Sequence, residues 1–383
     1  MRDLIFVSME DWDEVWRRNQ FLCAALARRF PAMKILFVGL PRNISNQIRR
    51  GDFGVTDTPP TWTVPEFPNI TVTRAVKLAP DSLALGRWLN EWMSRGHIAR
   101  AARRAGLRRP LLWLNPHHAV HMAGRMGEAG VIYDITDDWS LMPSISEREQ
   151  RLIAAQDKAL CQLADLVVVC SQSLEASRKP RSRNVLLLPN GVDAAHYARS
   201  AQAPNGARRW PAPVFGYTGT IHPDRVDFEI VRALAHAYPQ GSVVLVGFDH
   251  SDRAQALLGD EPNVHLPGQI PYARIPEFMA EFDVCMVPHV ETQFTNSLNP
   301  IKLWEYLACG KPIVSTNVAG FRDYPQFCHI ATGLEAFVQA AGAALAENGA
   351  QCETRRAEAA KHSWEERVDV LLQELKRLKL NTA

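Results

Sequence analysis

Long apolar runs are what this sequence most clearly lacks. No stretch approaches the roughly 18 consecutive apolar residues of a membrane span, so none is expected. The amino end, Met1 to Ser8, reads as a short apolar strand, without the apolar length or small-residue cleavage site of a secretory leader. Charge of one sign is scarce as well: 43 Lys and Arg against 41 Asp and Glu leave a formal net charge of +2, and no global field argues for nucleic acid. The seven cysteines form no C-x-x-C pair, which removes the usual zinc and redox frameworks. Most lie in apolar runs, as expected for reduced, buried thiols in a cytoplasmic protein. No G-x-G-x-x-G follows the first strand, which disfavours a dinucleotide-dependent oxidoreductase. Internal repeats and low-complexity tracts are absent.

What is present is alternation. At 383 residues the chain is too long for one compact core and suits two α/β domains. Leu4 to Val7 reads as a strand, Glu14 to Arg29 as an amphipathic helix and Lys34 to Val38 as a strand again. Leu111 to Leu114, Val131 to Ile135, Leu166 to Val169 and Val185 to Leu188 continue the series. Short buried runs separated by helices indicate parallel sheets with βαβ crossovers. A Gly-, Pro- and Asn-bearing stretch from Pro189 to Pro213 marks a boundary. Strands resume at Val214 to Tyr217, Ser242 to Val246, Val264 to Leu266, Val284 to Val287 and Ile313 to Ser315, and Trp364 to Leu378 reads as a final helix. The expected layout is an N-terminal domain over 1–200, a C-terminal domain over 208–362, and a last helix over 363–383 returning to the first.

The stretch from Asn296 to Ser315 carries the most chemistry. Asn299 suits an N-cap and Pro300 the first helical position, while Gly310 ends the helix and Pro312 opens the next strand. A helix opening at the carboxyl end of a parallel strand is where such sheets bind ligands, and its free N–H groups favour an anion. Lys302 and Glu305, three apart, share a face. A lysine there suits a phosphate, and a carboxylate one turn on suits the two hydroxyls of a ribose. Ahead of it, Phe215-Gly216-Tyr217-Thr218-Gly219-Thr220 leaves a strand and leads to Arg225 and a helix near Asp227. Its glycines would let the backbone approach a diphosphate.

These residues resemble the E-x7-E region and the glycine loop of GT-B glycosyltransferases, especially the GT4-like group of bacterial exopolysaccharide and cell-surface glycan assembly. Glu305 falls on the second glutamate of that motif and Ser297 replaces the first, which leaves retaining or inverting chemistry open. Thr220 replaces the arginine often found after the loop glycine, and Arg225 stands at the lysine position. Leu266 to Tyr272 resembles the loop that meets the base through backbone groups. The resemblance implies two doubly wound, Rossmann-like domains facing a cleft. It implies a donor site of Gly219, Thr220, Arg225, Gln269, Ile270, Asn296, Ser297, Asn299, Lys302 and Glu305. A nucleotide-sugar is then the co-substrate, a UDP-sugar the expected one, with no obligatory cofactor or metal.

On the acceptor side the strand Val131 to Ile135 ends at Thr136, and Asp137 and Asp138 follow at its carboxyl edge. Either carboxylate could take a proton from an acceptor hydroxyl, or cap the next element instead. Asp11, Trp12 and Arg18 after the first strand, with Asn115 and His117 after another, complete the expected acceptor wall. Asp11-Trp12-Asp13 is formally a D-x-D, but its place after strand one argues against metal use. Residues 87–109 gather seven arginines with Trp88 and Trp92, a composition suited to an anionic membrane surface or to a solvated helix face. The expected function is transfer of a sugar to a polyprenyl-linked or oligosaccharide acceptor at the cytoplasmic face of the inner membrane. A nucleotide-sugar epimerase and a non-catalytic scaffold subunit are the alternatives.

Overall fold

A computed structural model describes residues 1–43, 61–79, 84–199, 208–249, 252–347, 349 and 351–381. The boundary expected near 200–208 falls partly on residues outside these. The chain divides into two compact units, the first Met1–Thr136, Ser146–Leu188 and Arg367–Ala383, the second Asp137–Ile145 and Pro189–Glu366. The division departs from the sequence-derived boundaries in three places: Asp137–Ile145, the stretch from Pro189 and residues 363–366 group with the second unit.

In the first unit the sheet runs β3(Thr61–Val64), β4(Phe67–Lys77), β2(Ile35–Asn43), β1(Leu4–Val7), β5(Leu111–Leu114), β6(Gly130–Ile135), β7(Leu166–Val169), β8(Val185–Leu187). All neighbours pair in parallel except β3 and β4, an antiparallel pair at one edge. The central runs β1, β5, β6 and β7 are buried throughout, which is why they read as continuous apolar text rather than alternation. The edge pair β3–β4 escaped that reading because its Thr-rich text alternates and is half exposed. The helix expected from Glu14 starts only at Arg18. Asp13 holds the preceding residues in a loop: its carboxylate accepts from Val15 N–H and Arg17, and its carbonyl from the Gln20 amide.

The second unit's sheet is entirely parallel, in the order β11(Val264–Gly268), β10(Ser242–Val246), β9(Val214–Thr218), β12(Val284–Val287), β13(Ile313–Thr316), β14(Cys328–Ala331). The chain starts at the centre, winds outward through β10 and β11, then returns to the other side of β9 through β12. The strand order therefore reverses between β9 and β12, and loops leaving those two strands diverge at the carboxyl edge. Two apolar layers, one on each face, bury this sheet.

Candidate functional site in the second unit

The loop leaving β9 and the helix following β12 meet at this reversal point. Gly219 closes the β9 turn at φ +137°, and its N–H donates to the Val246 carbonyl of the neighbouring strand. A Cβ built on Gly219 would lie 2.2 Å from Lys302 Cε and 2.4 Å from Nζ, so the lysine rests where any other side chain would begin. Gly247, at the end of β10, is equally constrained: a Cβ there would sit 1.8 Å from the Gly219 carbonyl oxygen. Glycine at both positions leaves bare backbone along the strand ends. Gly247 went unread in the sequence, although a glycine closing a buried strand beside the β9 loop was its signal.

The helix Ile301–Cys309 does not begin as expected. Pro300 occupies the N-cap and offers no side-chain bond. Asn299 turns instead to Asn190, accepting from its N–H at 2.9 Å. The expected cap is thus spent on fastening the Asn190 turn to this helix, and the helix N-terminus is left without a side-chain cap. At the other end Gly310 adopts φ +74° and closes the helix as its composition predicts.

Lys302 lies in the first turn, with its ammonium 5.4 Å from the centre of the Tyr217 ring. It makes no ion pair among the described residues. Burial and the nearby Arg225 guanidinium lower its pKa to about 8, against the smaller opposing pull of Glu305 and Asp137. Arg225 bonds Asp137 at 3.3 Å and lies over the Phe294 ring. His289, buried beside them, is held well below the usual imidazole range by burial, then by Lys302 and Arg225. Arg225 shares the Asp137 carboxylate, so the Lys302 ammonium, beside a neutral imidazole and bare backbone, is the charge left for an anion to complete.

Glu305, one turn on, is raised by burial, an effect opposed by the hydroxyl of Tyr197, which donates to it at 2.7 Å, and by Lys302. Tyr197 is fully enclosed and belongs to the short helix Ala194–Ala198, capped by Asp193. Tyr306, on the same helix as Glu305, accepts from Thr218 N–H at 2.9 Å and ties that helix to the end of β9. None of Tyr197, Tyr217, Tyr306, Asn190 or His289 was singled out in the sequence. Each acts across about seventy residues or more, and no local pattern signals that.

The remaining expected donor residues scatter in role. Thr220 is exposed, its carbonyl accepting from the Tyr217 hydroxyl. Gln269 is exposed and Ile270 packs on the core just after β11, beyond Gly268. Asn296 accepts from Arg322 at 2.8 Å on the surface. Ser297 is buried and donates to the Phe294 carbonyl at 2.7 Å, while its oxygen receives Asp138 N–H at 3.4 Å. Asp137 and Asp138 accordingly group with these elements of the second unit, Asp137 through Arg225 and Asp138 through Ser297. Asp138 also accepts from the Ser140 hydroxyl.

The expected acceptor residues of the first unit are a different matter. Arg18 is buried in a two-point ion pair with Asp134 at 3.2 Å. Asn115 is buried too, accepting from Asn19 and from Met9 N–H. Asp11 pairs with Arg74 and receives Leu40 N–H, Asp13 pairs with Arg17, and Trp12 packs on Phe37, Phe67 and Trp16. The D-x-D carboxylates thus each carry an arginine. His117 bonds Gln156, and burial lowers its pKa.

Comparison with known proteins bears on the fold and the family. Residues 212–348 match the family described as Glycosyl transferases group 1. A Bacillus subtilis protein described as a teichuronic acid biosynthesis glycosyltransferase, TuaH, is 29% identical over 201 residues, which take in 49% of this chain and 50% of that one. The match thus spans about half the length of the curated relative. Sucrose-phosphate synthase from Thermosynechococcus elongatus superposes over 100% of both chains with a TM-score of 0.75 at 16% identity. Anabaena HepE, solved in complex with UDP and glucose, gives a TM-score of 0.67 at 15% identity over 99% of this chain and all of its own. A trehalose-6-phosphate structure from E. coli, bound with UDP-2-fluoro glucose, gives 0.67 at 13% over 98% and 99%. Residues 212–348 therefore make up a glycosyl transferases group 1 domain, in a chain with the GT-B fold.

Proposed function

We propose that this chain is a glycosyltransferase that takes a nucleoside-diphosphate sugar in its second unit and passes the sugar to an acceptor hydroxyl. The observation that carries the reading is Lys302, partly buried over Gly219 without an ion-pair partner among the described residues, at the reversal point of a parallel sheet. In this reading Lys302, Arg225 and the uncapped helix N-terminus receive the diphosphate, and Glu305 accepts from the ribose hydroxyls. The acceptor oxygen attacks the anomeric carbon, the bond from that carbon to the diphosphate oxygen breaks, and the nucleoside diphosphate leaves. Asp137 takes the acceptor's proton, released from Arg225 as that arginine turns to the diphosphate.

UDP as the carrier is favoured by the UDP complexes of HepE, and a glycan of the cell surface by the description of TuaH. A polyprenyl-linked or oligosaccharide acceptor, and attachment to the cytoplasmic face of the inner membrane through residues 87–109, belong to the same reading. The test is calorimetric titration with UDP, GDP and ADP, with and without magnesium, on wild type and Lys302→Ala. Saturable binding of one nucleotide, lost in the variant, is expected; no binding by folded protein sinks the proposal.

A scaffold role is the second reading, favoured by Ser297: the position of the family's first glutamate holds a buried hydroxyl engaged with Phe294 and Asp138. Nucleotide binding without release of nucleoside diphosphate from any UDP-sugar, with or without acceptor, would favour it.

A further inference from the structure

The first unit holds a second positive pocket that the donor chemistry does not use. It is a cavity of about 630 Å³ lined by, among others, Trp92, Arg95, His97, Arg100 and Arg125. Helix Ala84–Arg104 supplies four of these, and Arg125 comes from the turn after β5. Arg95 reaches His121, touching its ring nitrogen and its carbonyl at 3.3 Å. Arg100 and Arg125 are exposed and make no ion pair among the described residues. His121 is pushed down to about 4 by burial and then by Arg95, Arg125 and Lys77. His97, bonded to Thr73, is lowered by burial and then by Arg100 and Arg104. Both imidazoles are lowered first by burial and then by the arginines around them, so positive charge gathers at this pocket.

Beside this pocket the same helix exposes Leu85 (76%), Trp88 (57%) and Trp92 (59%). Spacings of three, four and seven place them on one face. Exposed tryptophans on an ordered helix are costly in water and suit an interface where the ring lies at headgroup depth. Trp92 belongs to both features, so the apolar stripe runs into the rim of the basic pocket.

We propose that this pocket binds the phosphate of an anionic membrane lipid, with Arg95, Arg100 and Arg125 around the headgroup and Leu85, Trp88 and Trp92 entering the bilayer surface. The inference sharpens the membrane attachment proposed above into a headgroup site and is independent of the donor chemistry. A guanidinium fork matches phosphate oxygens in pairs, and three of them hold a phosphate more firmly than a diffuse basic face would.

The test is flotation of the whole protein with vesicles of phosphatidylcholine alone, or with one third phosphatidylglycerol or phosphatidic acid, with soluble inorganic phosphate as competitor. Binding only to the anionic vesicles is expected, with Arg100→Gln/Arg125→Gln weakening it about thirtyfold, as two lost surface cations would. Trp88→Ser/Trp92→Ser should reduce it further, while both variants titrate with nucleotide as wild type does. On short-chain phosphatidic acid, the His121 ring signals should titrate at higher pH, because a phosphate among Arg95, Arg125 and Lys77 offsets the charge that lowers it. Equal binding to neutral and anionic vesicles, or an arginine variant that binds as wild type, would overturn the proposal. So would millimolar phosphate that moves His121 and releases the vesicles, since the pocket would then serve a soluble anion. Loss of nucleotide binding with vesicle binding intact counts against the donor reading alone.

Discussion

Each unit has a strand-order reversal at the carboxyl edge of a parallel sheet, between β1 and β5 in the first and between β9 and β12 in the second. Topology alone would make either a ligand site. Their polar chemistry separates them. At the first, Arg18 is locked onto Asp134, Asn19 donates to Ser8 and Asn115, and Asn115 donates to the Asp134 carbonyl. That network pairs its one cation with its one carboxylate and is closed in charge, although Asn19 Oδ1 has no partner among the described residues, and it holds the loop after β1 against the loop after β5. At the second, a lysine is partly buried with no ion partner among the described residues, an arginine shares one carboxylate, and glycines clear the backbone. A buried charge paired within the fold marks structure, and one left unpaired marks where a charged ligand completes the fold.

The sharpest way to break this contrast is to open the closed network. Asp134→Ala leaves Arg18 buried without its counter-charge and removes an acceptor of the Trp113 indole N–H. The expected cost is about 3–5 kcal/mol of stability, read by urea unfolding. Nucleotide affinity of the surviving folded protein should be unchanged. If Asp134→Ala costs little, the first reversal point is not the structural one of the pair.

At the open site the same operation should have the opposite sign. Lys302→Met removes a cation whose desolvation the apo fold does not recover, so stability should rise by on the order of 1–3 kcal/mol. Nucleoside diphosphate affinity should fall about a hundredfold, as for a lost charge-assisted contact to phosphate. A variant that loses affinity and stability together would make Lys302 a structural residue.

The pH dependence follows from the lowered pKa. Lys302 is charged below about 8 in the free protein. Affinity for a diphosphate should therefore be full at pH 7 and fall as pH rises through 8, by up to about tenfold per unit. Between about 8 and the 10.5 of an ordinary lysine, the unfolded chain binds the extra proton, so apo stability should rise across that window. Calorimetry in buffers of different ionisation heat should register proton uptake on binding near pH 8. Lys302→Met should abolish both trends.

The sheets were readable because buried parallel strands are short apolar runs, and Leu111 to Leu114, Leu166 to Val169 and Ser242 to Val246 need no tertiary information to be seen. The edge pair β3–β4 was not, since its residues satisfy a surface as well as a sheet. At the site, Lys302 and Glu305 were legible from helical spacing and Gly219 from its loop. Arg18 and Asn115 were expected as acceptor contacts, and the sequence does not show that Asp134, 116 residues from Arg18, bonds both of them. Asn299 was expected to cap its own helix, and only the fold supplies Asn190 as a competitor.

The smallest expected effect concerns Tyr197, which links the Asn190 turn to the open site. Its hydroxyl donates to Glu305 Oε1 at 2.7 Å, so the carboxylate is aimed before any ribose arrives. Tyr197→Phe removes one hydrogen bond and keeps the ring, so nucleotide affinity should weaken only about two- to fivefold. Glu305→Gln should weaken it more, by about tenfold, through loss of the charged acceptor. The decisive reading is the cycle with 2′-deoxy-UDP. If Glu305 meets the ribose and Tyr197 aims it, the deoxy nucleotide should lose affinity against wild type but little against Glu305→Gln, with Tyr197→Phe in between. Equal losses in all three proteins would separate Glu305 from the ribose. The open site would then be a phosphate site only, distinguished from the closed one by charge and not by any fit to a nucleoside.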